Sequence, residues 1–119
     1  MNNVGMVFGG RSGADTSTSS GMTMVESGYL SGENGESTVL DVSVYQIYLL
    51  FTREITISSG AIRGFRAIQI ARSEDGGFQR QYLASSTNAG ITITSVTDSI
   101  TIKPSSTSYD VYYALYAVM

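Results

Sequence analysis

The chain contains no histidine, no cysteine and no tryptophan, and these absences exclude several kinds of chemistry. Histidine is the commonest general base and the commonest metal ligand, and cysteine is an intrinsically strong nucleophile. A Ser-His-Asp site and a disulfide framework are therefore impossible within this chain, and a zinc site would have to use oxygen ligands alone. We expect a protein that is not an enzyme and that uses no cofactor.

Charge is also scarce, since charged residues make up 14% of the 119 residues, against about a quarter in ordinary soluble domains. The net charge is −3, and the arginines are scattered, with Arg63 and Arg66 the closest pair. Nucleic-acid binding needs clustered positive charge, so we expect no nucleic-acid partner. No apolar run approaches the ~20 residues of a membrane-spanning helix, and Met1-Asn2-Asn3 lacks the basic flank of a signal peptide. We therefore expect neither membrane insertion nor a signal peptide.

Hydrophobic residues make up 42% of the chain, which is enough to form the core of one domain of this length. Serine and threonine make up about a quarter of it, and threonine packs well on the exposed face of a β-sheet. The first third is instead rich in glycine and serine, and Gly9 to Gly21 has the composition of a long loop. We expect residues 1–37 to be an N-terminal arm with one or two short strands, among them Met22 to Glu26. Residues 38–119 are expected to form the core of a single domain.

From Thr38 onward the sequence has the alternation and the β-branched content of strands. Val39 to Thr52 is predicted to be one strand whose two faces both become apolar from Tyr45. Ala61 to Arg72 is predicted to be another, and a turn around Asp75-Gly76 returns the chain as a strand from Phe78. No segment shows helical periodicity over three turns. The predicted fold is therefore all-β, an antiparallel, jelly-roll-like β-sandwich of about seven or eight short strands.

The segment from Ile91 to Pro104 allows a hairpin register to be predicted. A loop at Thr97-Asp98 sorts the isoleucines onto one face and the threonines and the lysine onto the other, and a one-residue slip would destroy this sorting. Pro104 should end the second strand because proline cannot donate a hydrogen bond to a neighbouring strand. The predicted pairs are Ser95 with Ile100, Thr94 with Thr101, Ile93 with Ile102 and Thr92 with Lys103.

The segment from Tyr109 to Val118 is predicted to be the last strand, and both of its alternating residue sets are largely apolar. Such a strand should lie in the middle of a sheet with both faces covered. Tyrosine joins an apolar face to a polar tip, so this strand also carries the densest recognition chemistry in the chain. Core packing, a subunit interface and a ligand platform are three roles open to its tyrosines. The candidate interface or ligand-facing residues are Tyr109, Tyr112, Tyr116, Arg63 and Arg66.

The acidic residues allow two further kinds of site. Two carboxylates can hydrolyse a glycoside, but most acids of this chain fall in predicted turns or strand ends, where acids also have structural roles. Glu33-Asn34-Gly35-Glu36 and Glu74-Asp75-Gly76 could offer oxygens to calcium, although neither has the spacing of an EF-hand loop. A turn is the alternative in both places, and it is the interpretation that we favour.

The pattern from Val39 to Met119 resembles the C-terminal domains of bacteriophage tail-fibre and related virion proteins. The matching segments are the hairpin formed by Gly90 to Thr94 and Ser99 to Ile102, and the tyrosine-rich strand Tyr109 to Val118. The resemblance implies a non-enzymatic virion structural protein, of tail-fibre or receptor-binding type, that mediates assembly or host-surface attachment. It further implies self-association, with a trimer favoured, and contacts with other virion proteins and with a host-surface glycan or protein. The chain would be made in the host cytoplasm and located in the virion.

The sequence departs from this resemblance in one respect, because many fibre proteins carry long repetitive shafts and this chain has none. A carbohydrate-binding β-sandwich module of a secreted or surface protein is the alternative. Sandwiches of this size often host such sites, which is an analogy at the level of the fold. The absence of tryptophan weighs against the alternative, since sugar platforms favour large aromatic faces.

Overall fold

The computed structural model describes residues 21–73, 77–86 and 90–118, and these residues form eight β-strands and no helix. Every strand pair is antiparallel. Five strands form a larger sheet in the order β1-β8-β3-β4-β5, and three form a smaller sheet in the order β2-β7-β6. The predicted all-β sandwich is therefore confirmed. The strands are β1 (Met22–Leu30), β2 (Thr38–Asp41), β3 (Ile47–Thr56), β4 (Ile62–Arg72), β5 (Phe78–Ser85), β6 (Ile91–Val96), β7 (Ser99–Pro104) and β8 (Tyr109–Val118).

The two sheets pack face to face around a core of aliphatic side chains. The central strands of the larger sheet contribute alternate residues, among them Leu50, Ile68 and Leu115, and β7 contributes Ile100 and Ile102 from the smaller sheet. All five of these side chains are fully buried. Burying one such side chain stabilises a fold by about 1.5–3 kcal/mol, so this layer is the main source of the stability of the domain.

The β6–β7 hairpin has the register predicted from its sequence. Ile100 and Ile102 face the core, whereas Thr92, Thr94 and Lys103 are exposed. β7 ends at Pro104, as expected for a residue without a backbone N–H. The observed pairs are Ser95 with Ile100, Thr94 with Thr101, Ile93 with Ile102 and Thr92 with Lys103.

The prediction of one strand from Val39 to Thr52 is wrong, because the chain changes sheets within this segment. β2 ends at Asp41 in the smaller sheet, and β3 begins at Ile47 in the larger one. At the corner, the Asp41 carboxylate accepts hydrogen bonds from the backbone N–H and the hydroxyl of Ser43, at 2.8 and 2.5 Å. The Tyr48 hydroxyl accepts two more from backbone N–H groups, at 2.8 and 3.0 Å. Side chains thus satisfy the backbone where the alternation pattern alone predicted a continuous strand.

The β4–β5 hairpin follows its prediction, with the two strands paired antiparallel. The backbone N–H of Ser73 donates to the carbonyl of Gly77 at 2.9 Å and closes the hairpin end, while turn residues 74–76 lie outside the described ranges. Ile62, whose position alternates in step with the buried Ile68 and Ile70, is exposed. The cause is a register irregularity beside Glu54, which moves the start of β4 onto the other face.

β1 is longer than the expected strand from Met22 to Glu26, and it forms an edge of the larger sheet. It pairs with β8 along its length, with a bulge at Val25. Its last residue, Leu30, is buried in the core. Residues 1–20 of the expected arm lie outside the described residues.

Candidate functional site on the outer sheet face

β8 lies between β1 and β3, which confirms its predicted central position, but the described residues cover only one of its faces. Val111 and Leu115 face the core, whereas Tyr112, on the opposite face, is 43% exposed. The prediction that both faces are covered is therefore wrong for the described chain. We call this second side of the larger sheet the outer face. Its residues, assigned from the strand registers, are Met22, Met24, Ser27 and Tyr29; Asp110, Tyr112, Ala114, Tyr116 and Val118; Ile47, Leu49, Phe51, Arg53 and Ile55; Ile62, Phe65, Ala67, Gln69 and Ala71; and Gln79, Gln81 and Ala84.

Aromatic side chains on the outer face pack against one another in pairs. The rings of Tyr29 and Tyr112 are tilted, with centroids 5.0 Å apart, and the Arg53 guanidinium lies 5.0 Å from the Tyr112 centroid. Phe51 and Tyr116 meet edge to face with centroids 5.7 Å apart. Both ring arrangements are energetically preferred, and an exposed cation–π contact contributes about 0.5–1 kcal/mol. These contacts hold the rings in fixed positions before any partner binds.

Asp110 fixes the position of Tyr29. The Tyr29 hydroxyl donates a hydrogen bond of 2.8 Å to the Asp110 carboxylate. This hydrogen bond is the largest cause that raises the pKa of Tyr29 above its ordinary value, followed by desolvation and by the negative charge of Asp110. The same carboxylate accepts a 3.0 Å hydrogen bond from the backbone N–H of Gly32. One acid therefore joins the loop after β1 to the start of β8 and orients a tyrosine of the outer face.

The outer face carries almost no charge. Arg53 and Asp110 are the only residues with formal charge among those that define it, and their charges cancel. Both act on tyrosines, Arg53 over the ring of Tyr112 and Asp110 at the hydroxyl of Tyr29. The net charge of −3 therefore arises on other parts of the chain, and the outer face is a formally neutral apolar surface.

The structure separates the five candidate residues named from the sequence. Tyr112 and Tyr116 lie on the outer face. Tyr109 begins β8 on the inner side, half-buried, with the Arg63 guanidinium 4.8 Å from its ring centroid. Arg66 is buried on the inner side, where it forms an ion pair with Glu54.

Sequence reasoning did not single out three aromatic residues of the outer face, Tyr29, Phe51 and Phe65. Tyr29 fell within the expected arm, and Phe51 fell in a segment expected to be buried on both sides. The rings of Tyr29 and Phe51 become neighbours of β8 tyrosines only through strand pairs between segments far apart in the chain.

A buried polar cluster lies on the inner side of the larger sheet and has a structural role. Arg66 donates to Glu54 at 2.5 Å, and the Thr52 hydroxyl donates to the same carboxylate at 3.1 Å. The cluster is closely packed, since a Cβ added at Gly90 would lie 2.9 Å from the Glu54 Cβ. These side chains satisfy one another and leave little space for a ligand.

A cleft of about 360 Å³ lies among the loops and is lined by Glu33, Ile57, Ser58, Thr107 and Ser108. Its lining contains one carboxylate, whereas hydrolysis of a glycoside by the usual mechanism needs a pair. Hydroxyl groups dominate the polar part of the lining, which suits a small polar ligand held by hydrogen bonds.

The two acidic turns considered for calcium have different outcomes. In the first, the Glu36 carboxylate accepts a 2.7 Å hydrogen bond from the backbone N–H of Ser31, and so closes the loop. The second, Glu74-Asp75-Gly76, lies outside the described residues. In the part of the chain that the structure describes, no group of three or more acidic, histidine or cysteine side chains could hold a metal ion.

The described ranges contain no helix of the length and apolar character needed to cross a membrane. Comparisons with protein-family models, with curated proteins and with solved structures find no match for this chain. Because no match supplies a function, the outer face and the loop cleft are the two surface features that bear on function.

Proposed function

We propose that this chain is a non-enzymatic structural protein of a bacteriophage virion, of tail-fibre or receptor-binding type, that acts by associating through its outer face. The observation that carries the proposal is the exposure of large apolar side chains there. Six aromatic and methionine side chains are 37–51% exposed, namely Met22, Met24, Tyr29, Phe51, Phe65 and Tyr112, and Ile62 beside them is 62% exposed. At roughly 200 Å² per side chain, they leave on the order of 500 Å² of contiguous surface in water. Patches of this size on soluble proteins commonly mark interaction sites.

The composition of the outer face supports association over catalysis. Tyrosine, phenylalanine, methionine and arginine are enriched at protein interfaces, whereas lysine and glutamate are depleted. The outer face has each of the first four residue types and neither of the last two. The tail-fibre and receptor-binding assignment comes from the sequence resemblance, because a β-sandwich by itself hosts many functions. Other virion proteins and a host-surface glycan or protein are the partners that it implies.

The test is detection of the chain in purified particles. Phage particles from cells that carry the gene are purified by density gradient, analysed by mass spectrometry and labelled with gold-conjugated antibody. We expect the chain in the particle fraction, with the label at one site on the virion. A cytoplasmic host protein of similar abundance serves as the control for contamination. Recovery of the chain in the soluble lysate but not in the particles would contradict the proposal.

A carbohydrate-binding module is the second candidate, and the Tyr29–Tyr112 pair favours it, because aromatic rings on a sheet face can stack against sugars. The pair supports this function less well than association, because Tyr29 and Arg53 already pack against Tyr112. A glycan array probed with the full chain tests it. A hit that is lost in Tyr112→Ala and kept in Tyr82→Ala, an exposed tyrosine outside the outer face, would favour sugar binding.

A further inference from the structure

We propose that the partner of the outer face is a second copy of this chain, packed face to face about a twofold axis. The inference rests on the associative role proposed for this face, but not on the virion location. A contact between two copies of one patch is isologous and closes as a dimer. It therefore differs from the trimer that the sequence resemblance favours.

The area of the outer face is suitable for one such contact. Five strands spaced about 4.8 Å apart are about 24 Å wide, and the exposed part of the face is about 25 Å long, which gives on the order of 600 Å². Stable interfaces bury about 600–1,000 Å² per partner. The area of one outer face therefore equals the lower end of this range, so a stable dimer would have to bury nearly the whole face.

The charge of the outer face favours the same partner. Each copy carries a net charge of −3, so two copies repel one another through most of their surfaces. The outer face has no net charge, because Arg53 and Asp110 cancel. Two copies can therefore approach most closely through this face, whereas a strongly charged partner would find little to pair with there.

Large and small side chains on the outer face are arranged in a way that suits contact with a second copy. The strand registers place large and small side chains in neighbouring rows that run across the strands. One row contains Ser27, Ala114 and Ala67, and the next contains Met24 and Tyr116. Suppose that the twofold axis lies in the plane of the contact and runs between these two rows, parallel to them. Rotation about this axis then places the small row of each copy over the large row of the other.

Phe51 belongs by register to the small row, between Ala114 and Ala67. Its ring meets Tyr116 of the large row edge to face, with an interplanar angle of 80°. Ala114 and Ala67, on either side of Phe51, are the positions over which side chains of the large row of the other copy would pack. Packing large against small side chains in this way gives the interdigitation found between stacked sheets, about 10 Å apart.

The experiment measures the mass of the full chain by size-exclusion chromatography with light scattering, over a range of concentrations. We expect twice the 12.7 kDa of one chain at micromolar concentration. Phe65→Glu and Ala114→Glu place a new negative charge at the contact on both copies, and each should weaken dimerisation by about a hundred-fold or more. Val39→Glu is the matched control, because Val39 is 61% exposed in the smaller sheet, away from the outer face. Circular dichroism checks that each variant is folded.

A dimer that dissociates in the two outer-face variants and persists in Val39→Glu supports the inference. A monomer at all concentrations overturns it, and so does a trimer or a dimer that neither outer-face variant affects. The result is independent of the particle analysis. A solution dimer that is absent from virions contradicts the proposed virion role and leaves the partner assignment intact.

Discussion

Replacing Glu54 with alanine should destabilise the protein much more than replacing Asp98 with alanine. Each carboxylate forms an ion pair at 2.5 Å with an arginine, Glu54 with Arg66 and Asp98 with Arg72. The two pairs differ in burial, since Glu54 is 0% exposed and Asp98 is 61% exposed. Both arginines are largely buried, at 8% and 12% exposed, so the two pairs differ mainly in the exposure of the carboxylate.

The expected magnitudes follow from this difference in burial. Removing one partner of a buried ion pair costs about 3–5 kcal/mol, because it leaves a charge in a medium of low polarity. Removing the exposed Asp98 should cost about 0–1 kcal/mol, as for surface pairs, because Arg72 keeps its hydrogen bond to the Val42 carbonyl. At roughly 4 °C per kcal/mol, Glu54→Ala should lower Tm by on the order of 12–20 °C, and Asp98→Ala by less than about 4 °C. A loss of the larger size approaches the whole stability of many domains, which is about 5–15 kcal/mol.

Urea unfolding, followed by circular dichroism and tyrosine fluorescence, measures the changes in the free energy of unfolding, and thermal unfolding measures the changes in Tm. All variants are compared at one protein concentration, because association would shift the midpoint. The double variant with Glu54→Leu and Arg66→Met replaces the pair by apolar side chains and should recover most of the loss. A cost below about 1 kcal/mol for Glu54→Ala, or equal costs for Glu54→Ala and Asp98→Ala, would refute the reasoning.

Three further predictions concern the loops, the core and one tyrosine. Gly32→Ala should destabilise the fold strongly, because the added Cβ overlaps the backbone carbonyl of Tyr109, and thermal unfolding will show it. Ile100→Ala should cost about 2–5 kcal/mol in urea unfolding, because Ile100 is fully buried. The pKa of Tyr29 should exceed its ordinary value of 10.0 and return toward it in Asp110→Asn, as measured by absorbance at high pH. Because the folded pKa is raised, the stabilisation from this contact is present below pH 10.0 and is lost as the pH rises through the folded value.

The parts of the fold that could be predicted are those in which local patterns leave one solution. The β6–β7 register follows from its isoleucine and threonine sorting around a loop at Thr97-Asp98, because a one-residue slip would pair isoleucines with threonines across the two strands. The corner after β2 could not be predicted in this way. It depends on hydrogen bonds from the backbone to Asp41 and Tyr48, and the apolar alternation across it continues without interruption.

The candidate site was only partly predictable, because it is formed by strands that are far apart in sequence. Tyr112 and Tyr116 could be named from their own strand. Tyr29 joins them only because β1 pairs with β8, and Phe51 only because β3 does. Arg66 was named as a candidate, but its buried partner, Glu54, lies on the neighbouring strand, and sequence alone does not distinguish an arginine that faces the core from one that faces solvent.

The sequence of β8 contains a further clue, because both of its alternating residue sets are largely apolar although the described residues of one copy cover only one of them. The smaller sheet packs against the inner set, and the outer set remains partly in water. Covering on the order of 500 Å² on each copy would remove apolar surface of both copies from water. This favourable term has to exceed an association cost of about 4–15 kcal/mol and the cost of ordering side chains. The prediction of a fully covered β8 is wrong for the described residues of a single chain, and the proposed dimer is the assembly in which it would hold.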